Sequence, residues 1–187
     1  MFKIDAASLH RVLYNSLLFD TKSAKAFEVV DGFLKMNTSD GQVYLEDIVQ
    51  LADEYYTENH VWIWDAQHLK AMSKGMEKID GQLEVDVKPG SETIIIGLPD
   101  DSARIGGGIS YGEYAQQSSL FDAKGHENGS LTFSINPDRL RKLSLLQPKD
   151  YPVEIMVRQV DGIKTDVLLF RKGPTVRGAY ATLSLLS

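Results

Sequence analysis

One stretch of the sequence has the spacing of a nucleophilic serine. Residues 108–112, Gly-Ile-Ser-Tyr-Gly, match the G-x-S-x-G pattern, in which a serine on a sharp strand-to-helix turn attacks a carbonyl carbon. That chemistry also requires an acid and then a histidine, and Asp122 and His126 follow in a polar, glycine-containing stretch. The chain lacks the alternating β/α pattern of such hydrolases. We therefore expect no catalytic residues here and no enzymatic activity.

The sequence also predicts no metal site and no cofactor. It contains no cysteine, which excludes thiolate ligands and disulfides. The triple glycine at 106–108 is not followed by the Gly-Lys-Ser/Thr of a phosphate-binding loop. No metal-ligand spacing relates the four histidines, which are His10, His60, His68 and His126.

Basic residues are concentrated in three segments with a helical pattern, 6–18, 67–78 and 137–147. These segments carry seven basic and two acidic residues, although the whole chain has a net charge of −6. Lys70, Lys74 and Lys78 recur every fourth residue and would share one helical face. A surface built from such helices would hold duplex DNA through its phosphates, without reading bases. The predicted DNA contacts are Arg11, Lys70, Lys74, Lys78, Arg139, Arg141 and Lys142.

The three basic segments belong to a threefold internal repeat. Each begins with a β-rich run, at 2–5, 61–65 and 131–136, whose last residue is an Asp or Asn suited to cap a helix. A leucine follows four residues after each cap and a second apolar residue follows seven after it, which is one stripe of an amphipathic helix. These residues are the pairs Leu9 and Val12, Leu69 and Met72, and Leu140 and Leu143.

Three strand-like runs follow each predicted helix, separated by Gly-, Pro- and Asp-containing turns. We therefore predict an α+β fold of three β-α-β-β-β units, with helices on one face and antiparallel sheets on the other. Residues 1–109 would form a full domain of two units, 1–58 and 59–109. Residues 110–130 would be a linker, and residues 131–187 a third unit that forms half a domain. The alternative is an unrelated α+β domain in which the repeat is coincidental.

Composition places the chain among soluble globular proteins. Its 187 residues are 43% hydrophobic and 25% charged. No apolar run reaches membrane-spanning length, and the first residues lack the apolar region of a signal peptide. The absence of cysteine fits a reducing compartment, so we expect a cytoplasmic protein.

These patterns resemble the DNA sliding clamps, which include the β subunit of bacterial replicative polymerases and the phage, eukaryotic and archaeal clamps. Residues 2–9 and 29–40 look like the opening of a clamp domain, residues 61–76 like its sequel, and residues 131–183 like the second half of a terminal domain. The resemblance implies a ring with helices lining the hole. It also implies a phage or bacterial processivity factor that tethers a DNA polymerase to duplex DNA, a separate clamp loader, and a partner pocket near a domain junction.

Unit number distinguishes this chain from the clamps it resembles. Known clamps have an even number of units per chain and a dozen per ring, so three units per chain would require a homo-tetramer. Lone third units could pair to complete a domain. The alternative is a clamp-like interaction protein, a monomer or dimer, that regulates a replication complex without encircling DNA.

A second resemblance falls in the predicted linker. Residues 117–121, Gln-Ser-Ser-Leu-Phe, are similar to the short peptide by which proteins dock onto bacterial clamps. Gln117, Leu120 and Phe121 would be its anchors. The alternative is that Leu120 and Phe121 pack on a neighbouring sheet.

Overall fold

A computed structural model describes residues 1–40, 43–53, 56, 58–87, 92–99, 103–110, 124–125, 135–159 and 167–181. Its helices are α1 (Ala6–Leu18), α2 (Ala66–Met76) and α3 (Pro137–Leu145). Its strands are β1 (Phe2–Asp5), β2 (Lys25–Val30), β3 (Phe33–Ser39), β4 (Val43–Gln50), β5 (His60–Trp64), β6 (Gln82–Val87), β7 (Thr93–Gly97), β8 (Arg104–Ser110), β9 (Lys124–Gly125), β10 (Val153–Gln159), β11 (Val167–Lys172) and β12 (Val176–Ala181).

The three predicted N-caps are confirmed. The Asp5 carboxylate accepts a hydrogen bond from Ser8 N at 2.9 Å, and the Asp65 carboxylate accepts one from Gln67 N at 2.7 Å. The Asn136 side-chain oxygen does the same for Asp138 N at 2.8 Å. Each cap satisfies an N–H group that has no partner within the first helical turn, which fixes where each helix begins.

Two helices end earlier than the sequence predicts. α2 ends at Met76, and Ile79 N donates to Met76 O at 3.1 Å in a tighter turn, so Lys78 lies beyond the helix and off its face. α3 ends at Leu145, because the residue before Pro148 is sterically disfavoured in the helical conformation. The shared face that the sequence predicts for three lysines therefore holds for Lys70 and Lys74 only.

All twelve strands form one antiparallel arrangement in the order β1-β6-β7-β8-β5-β2-β3-β4-β12-β11-β10-β9. The first strand of each of the first two units crosses to the other unit: β1 pairs with β6, and β5 pairs with β2. Each unit thus completes the other's sheet, and α1 packs beside α2. The predicted α+β fold class is confirmed. The domain boundaries remain a prediction, and the predicted linker contains β9.

The core lies between the helices and the sheets. Trp62 and Trp64, alternate residues of β5, are both 1% exposed, and the Trp62 ring stacks on Phe27 with centroids 5.7 Å apart. Both tryptophans therefore pack in the core. Of the six stripe residues on the helices, five are buried, whereas Leu140 is 47% exposed, so the prediction of a buried stripe is wrong at that residue.

The elements of the third repeat attach to the first unit through the β12–β4 ladder. Arg177 pairs with Glu46 in this ladder, and its Nε donates to Glu46 Oε1 at 2.7 Å. A Cβ at Gly178 would overlap the Phe170 ring and lie 2.6 Å from Tyr44 O, so only glycine fits where the strands meet. The third repeat is therefore joined to the first unit by specific contacts.

Among the described residues, no helix is long and apolar enough to cross a membrane, and no cluster of potential metal ligands occurs.

Candidate nucleic-acid interface

Each helix turns one face away from the core. The seventh residue after each cap is buried, and at 3.6 residues per turn the fifth and ninth residues lie about 160° from it. The fifth residues are all nitrogen-bearing: His10 on α1, Lys70 on α2 and Arg141 on α3. Lys70 and Arg141 are exposed and His10 is half-buried. Structurally equivalent positions on three helices thus present groups that can contact phosphate.

α1, α2 and the segment after α3 enclose a groove of about 750 Å³. It brings together three predicted contacts, Arg11, Lys70 and Lys74, and adds His10 and Lys149. Among the lining residues that the structure describes, Glu77 is the one acidic side chain. The groove therefore concentrates positive charge on a chain whose total charge is negative.

Two of the predicted DNA contacts are engaged within the fold. Arg11 Nη2 donates to Asp47 Oδ1 at 3.0 Å and to Ile48 O at 3.1 Å. Arg139 forms an ion pair with Asp40 and donates to Phe19 O at 3.4 Å. Both guanidinium groups tie helices to the first unit, so their first role is structural.

The other predicted contacts remain available. Lys70, Lys74, Lys78 and Arg141 are exposed, and Lys142 is half-buried in the last turn of α3. Within the part of the chain that the structure describes, no carboxylate lies within ion-pair distance of these five side chains. Their charges are therefore not neutralised by the carboxylates that the structure describes.

Sequence reasoning missed Lys149 and left His10 out of the contact set. Lys149 follows the end of α3, where no periodic pattern marks it, and only the packing of α3 against the first unit brings it to the groove. Aligning the three caps could have identified His10, since it shares its position with Lys70 and Arg141.

A buried polar network lies beside the groove and includes two residues that line it, Arg11 and Gln147. Asp47 is fully buried, and its Oδ2 accepts from Asn15 Nδ2 at 2.8 Å. Asn15 Nδ2 also donates to Gln147 O at 3.1 Å, and Asn15 Oδ1 accepts from Gln147 N at 3.0 Å. Burial raises the pKa of Asp47 to about 6, although Arg11 and Asn15 favour its charged form. The network links β4, α1 and the segment after α3.

A second cavity, of about 440 Å³, lies where β4 meets β11 and β12. Its lining is largely apolar and includes Ile48, Met156, Leu169, Pro174 and Val176. It therefore offers apolar contact at the junction between the first and third units.

The remaining sequence candidates lie at the margin of the described structure or beyond it. Ser110 is the last residue of β8, where it pairs with Ile63. Asp122, His126 and residues 117–121 fall outside the described residues, so the serine arrangement and the docking peptide are not tested.

Comparison with known proteins places the fold. No protein-family model and no curated protein matches the sequence. The DNA polymerase sliding clamp from Pseudomonas aeruginosa is similar over 98% of this chain and 64% of its own, with a TM-score of 0.64 and 13% identity. The β subunit of DNA polymerase from Streptococcus pyogenes gives a TM-score of 0.65 at 13% identity over 97% and 64%.

A Helicobacter pylori β clamp bound to a DNA ligase peptide gives a TM-score of 0.66 at 9% identity, over 98% of this chain and 66% of its own. The chain therefore spans slightly less than two thirds of the length of these clamps. At sequence identities of 9–13%, the similarity to these clamps shows a shared fold alone. The chain has the fold of the bacterial DNA sliding clamps.

Proposed function

We propose that this protein is a sliding clamp-like processivity factor that tethers a DNA polymerase to duplex DNA. The observation that carries the proposal is the outward helical face, where Lys70, Lys74 and Arg141 are exposed and not neutralised by described acids. Such a face on a clamp fold suits a protein that binds DNA without chemistry. The proposal includes no enzymatic activity.

Phosphate contacts explain how binding and sliding can coexist. Lysine and arginine bind phosphates by displacing condensed counterions, and this attraction is the same at every sequence. The remainder of the chain is acidic, because the total charge is −6 despite the basic helices. DNA would therefore be attracted to the helical face and repelled elsewhere.

A ring requires several copies of the chain. This chain spans 64% of the Pseudomonas aeruginosa clamp and contributes three helices. Four copies would supply twelve helical units, so we propose a homo-tetramer that encloses duplex DNA. Opening of such a ring would require a separate loader.

The cavity between β4, β11 and β12 is the proposed polymerase-docking site. Apolar pockets of this kind accept aliphatic and aromatic anchors, which carry most of the binding energy at interfaces. A related clamp structure contains a bound DNA ligase peptide, which supports peptide docking as the mode. Residues 117–121 are proposed as a peptide of the same kind, which would engage such a pocket on another chain.

The test is a charge reversal on the exposed face of α2. Lys70→Glu combined with Lys74→Glu should weaken duplex binding at low salt by ~100-fold, because two phosphate contacts become repulsive. Fluorescence anisotropy with a labelled duplex, repeated over a range of salt concentrations, measures the loss. The slope of log affinity against log salt should become shallower by about 2.

The matched control reverses two exposed arginines on strands, Arg104→Glu with Arg171→Glu. The net charge changes equally, so a comparable loss in both variants would show general repulsion and reject the helical face. Unchanged affinity in the α2 variant would favour a clamp-like regulator that does not hold DNA.

A further inference from the structure

The third unit, defined here as α3, β10, β11 and β12, exposes apolar side chains that the other two units bury. Four residues after each cap, Leu9 is 3% exposed and Leu69 is 0% exposed, whereas Leu140 is 47% exposed. The three leucines occupy equivalent positions on their helices. Within the described ranges, the third unit therefore lacks the cover that the other two possess at this position.

The strand after the helix shows the same difference. β6 buries three alternate side chains to 3% exposure or less: Leu83, Val85 and Val87. The corresponding residues of β10 are Val153, Ile155 and Val157. The first and last pack against the core, yet Ile155 between them is 39% exposed. The core-facing side of β10 is therefore open at Ile155.

Apolar exposure is concentrated in this unit. Of nine large hydrophobic residues exposed in the described chain, five lie between residues 140 and 156: Leu140, Leu145, Tyr151, Ile155 and Met156. Of these five, Leu140 and Ile155 occupy positions that the other units bury, whereas Leu145 takes the outward position of α3 and Met156 lines the cavity beside β4. Apolar side chains exposed at core positions mark an interaction surface.

The chain itself shows what covers such a face. In the first two units, β1 crosses to pair with β6, β5 crosses to pair with β2, and α1 packs beside α2. Each unit is covered by another unit of the same kind. In the described residues, β9 adds only two residue pairs beside β10, and no helix packs on α3 as α1 packs on α2.

We propose that the open face of the third unit binds the third unit of a second copy of this chain about a two-fold axis. The two half-domains would complete one domain, as the first and second units do within one chain. A two-fold contact is self-complementary, so one open face on each copy suffices. The inference rests on the fold and not on DNA binding. The interface would supply one of the contacts that the proposed tetrameric ring needs.

The first test compares self-association of matched variants by sedimentation velocity. Leu140→Gln with Ile155→Gln removes two apolar side chains from the proposed interface, and we expect the dimer to dissociate about 100-fold more readily. The control, Val61→Gln with Ile95→Gln, changes residues of similar exposure, 44% and 38%, on other strands. The control should associate as the wild type does.

A second measurement uses the absence of cysteine from the chain. Leu140→Cys places one thiol on the open face, and a short bismaleimide should convert this protein to covalent dimers. Ile95→Cys, the control, should remain largely uncross-linked. Wild-type protein that stays monomeric at all concentrations overturns the interface, as does a dimer that neither loosens in the Gln variant nor cross-links through residue 140.

The outcomes separate this inference from the proposed function. If the protein pairs through the third unit but does not bind duplex DNA, the proposed function is rejected and the proposed interface stands. If it binds DNA as a monomer, the interface is rejected and the proposed DNA-binding face stands.

Discussion

At the residue scale, Asp47 connects stability to pH. Its carboxyl group is fully buried on β4 and receives hydrogen bonds from Arg11 and Asn15. Burial raises its pKa from the usual 3.8 to about 6. The folded state therefore favours the protonated acid. The stability that this shift contributes is fully present below pH 3.8 and is lost as the pH rises through about 6.

We predict that Asp47→Asn changes the pH dependence of folding. A shift of this size corresponds to about 3 kcal/mol, so the free energy of unfolding of the variant, relative to wild type, should rise by roughly that amount between pH 3.5 and pH 7.5. Urea unfolding at both pH values measures the difference. Asp150→Asn, which replaces an exposed carboxylate, is the control. Parallel curves for wild type and Asp47→Asn would contradict this role for Asp47.

At the element scale, the position of a basic residue on its helix decides what it does. Arg11 is the sixth residue after its cap and turns sideways to Asp47, whereas Arg141 is the fifth after its cap and turns outward. The fold thus divides the basic residues into a structural set and an outward-facing set, which we propose contacts DNA, although their side chains are chemically alike.

This division predicts that one arginine substitution lowers stability and another weakens duplex binding. Arg11→Ala should lower the free energy of unfolding by about 2 kcal/mol, because it leaves the buried Asp47 without its ion-pair partner. Arg141→Ala should leave stability unchanged and weaken duplex binding about fivefold through one lost phosphate contact. Chemical denaturation and anisotropy on the same preparations measure both quantities. If Arg11→Ala and Arg141→Ala weaken duplex binding equally at the same concentration of folded protein, the division into a structural and an outward-facing arginine is wrong.

Local sequence patterns predicted the elements well, since caps and apolar stripes act within one or two turns. Asp5, Asp65 and Asn136 fixed the three helix starts for this reason. The end of α2 was less predictable because Lys78 continues the lysine spacing beyond the point where the helix stops. The exchange of β1 and β5 between units could not be predicted, because pairing over such distances depends on the assembled core.

In the candidate site, too, local patterns were predictable from the sequence and long-range contacts were not. The exposure of Lys70 and Lys74 follows from helical periodicity alone. The engagement of Arg11 and Arg139 depends on Asp47 and Asp40, which are distant in sequence. Lys149 reaches the groove only because α3 packs on the first unit, so no local pattern could identify it.

At the scale of the whole molecule, the chain combines two units that cover each other with a third unit that has no such partner among the described residues. The first two units cover each other's apolar faces, whereas the third leaves Leu140 and Ile155 exposed. The β4–β12 ladder holds the third unit to the first. A chain built in this way favours assembly, since burying the open face lowers the free energy by removing apolar surface from water.

The proposed function requires several copies to form a closed ring whose hole is lined by basic helices. Electron microscopy of the purified full chain would show such a ring, with class averages from particles collected with and without duplex DNA. We expect closed rings of four copies, with a central opening that contains density when duplex is added. Particles that remain single chains or open dimers under both conditions would contradict it, and would leave a clamp-like protein that does not encircle DNA.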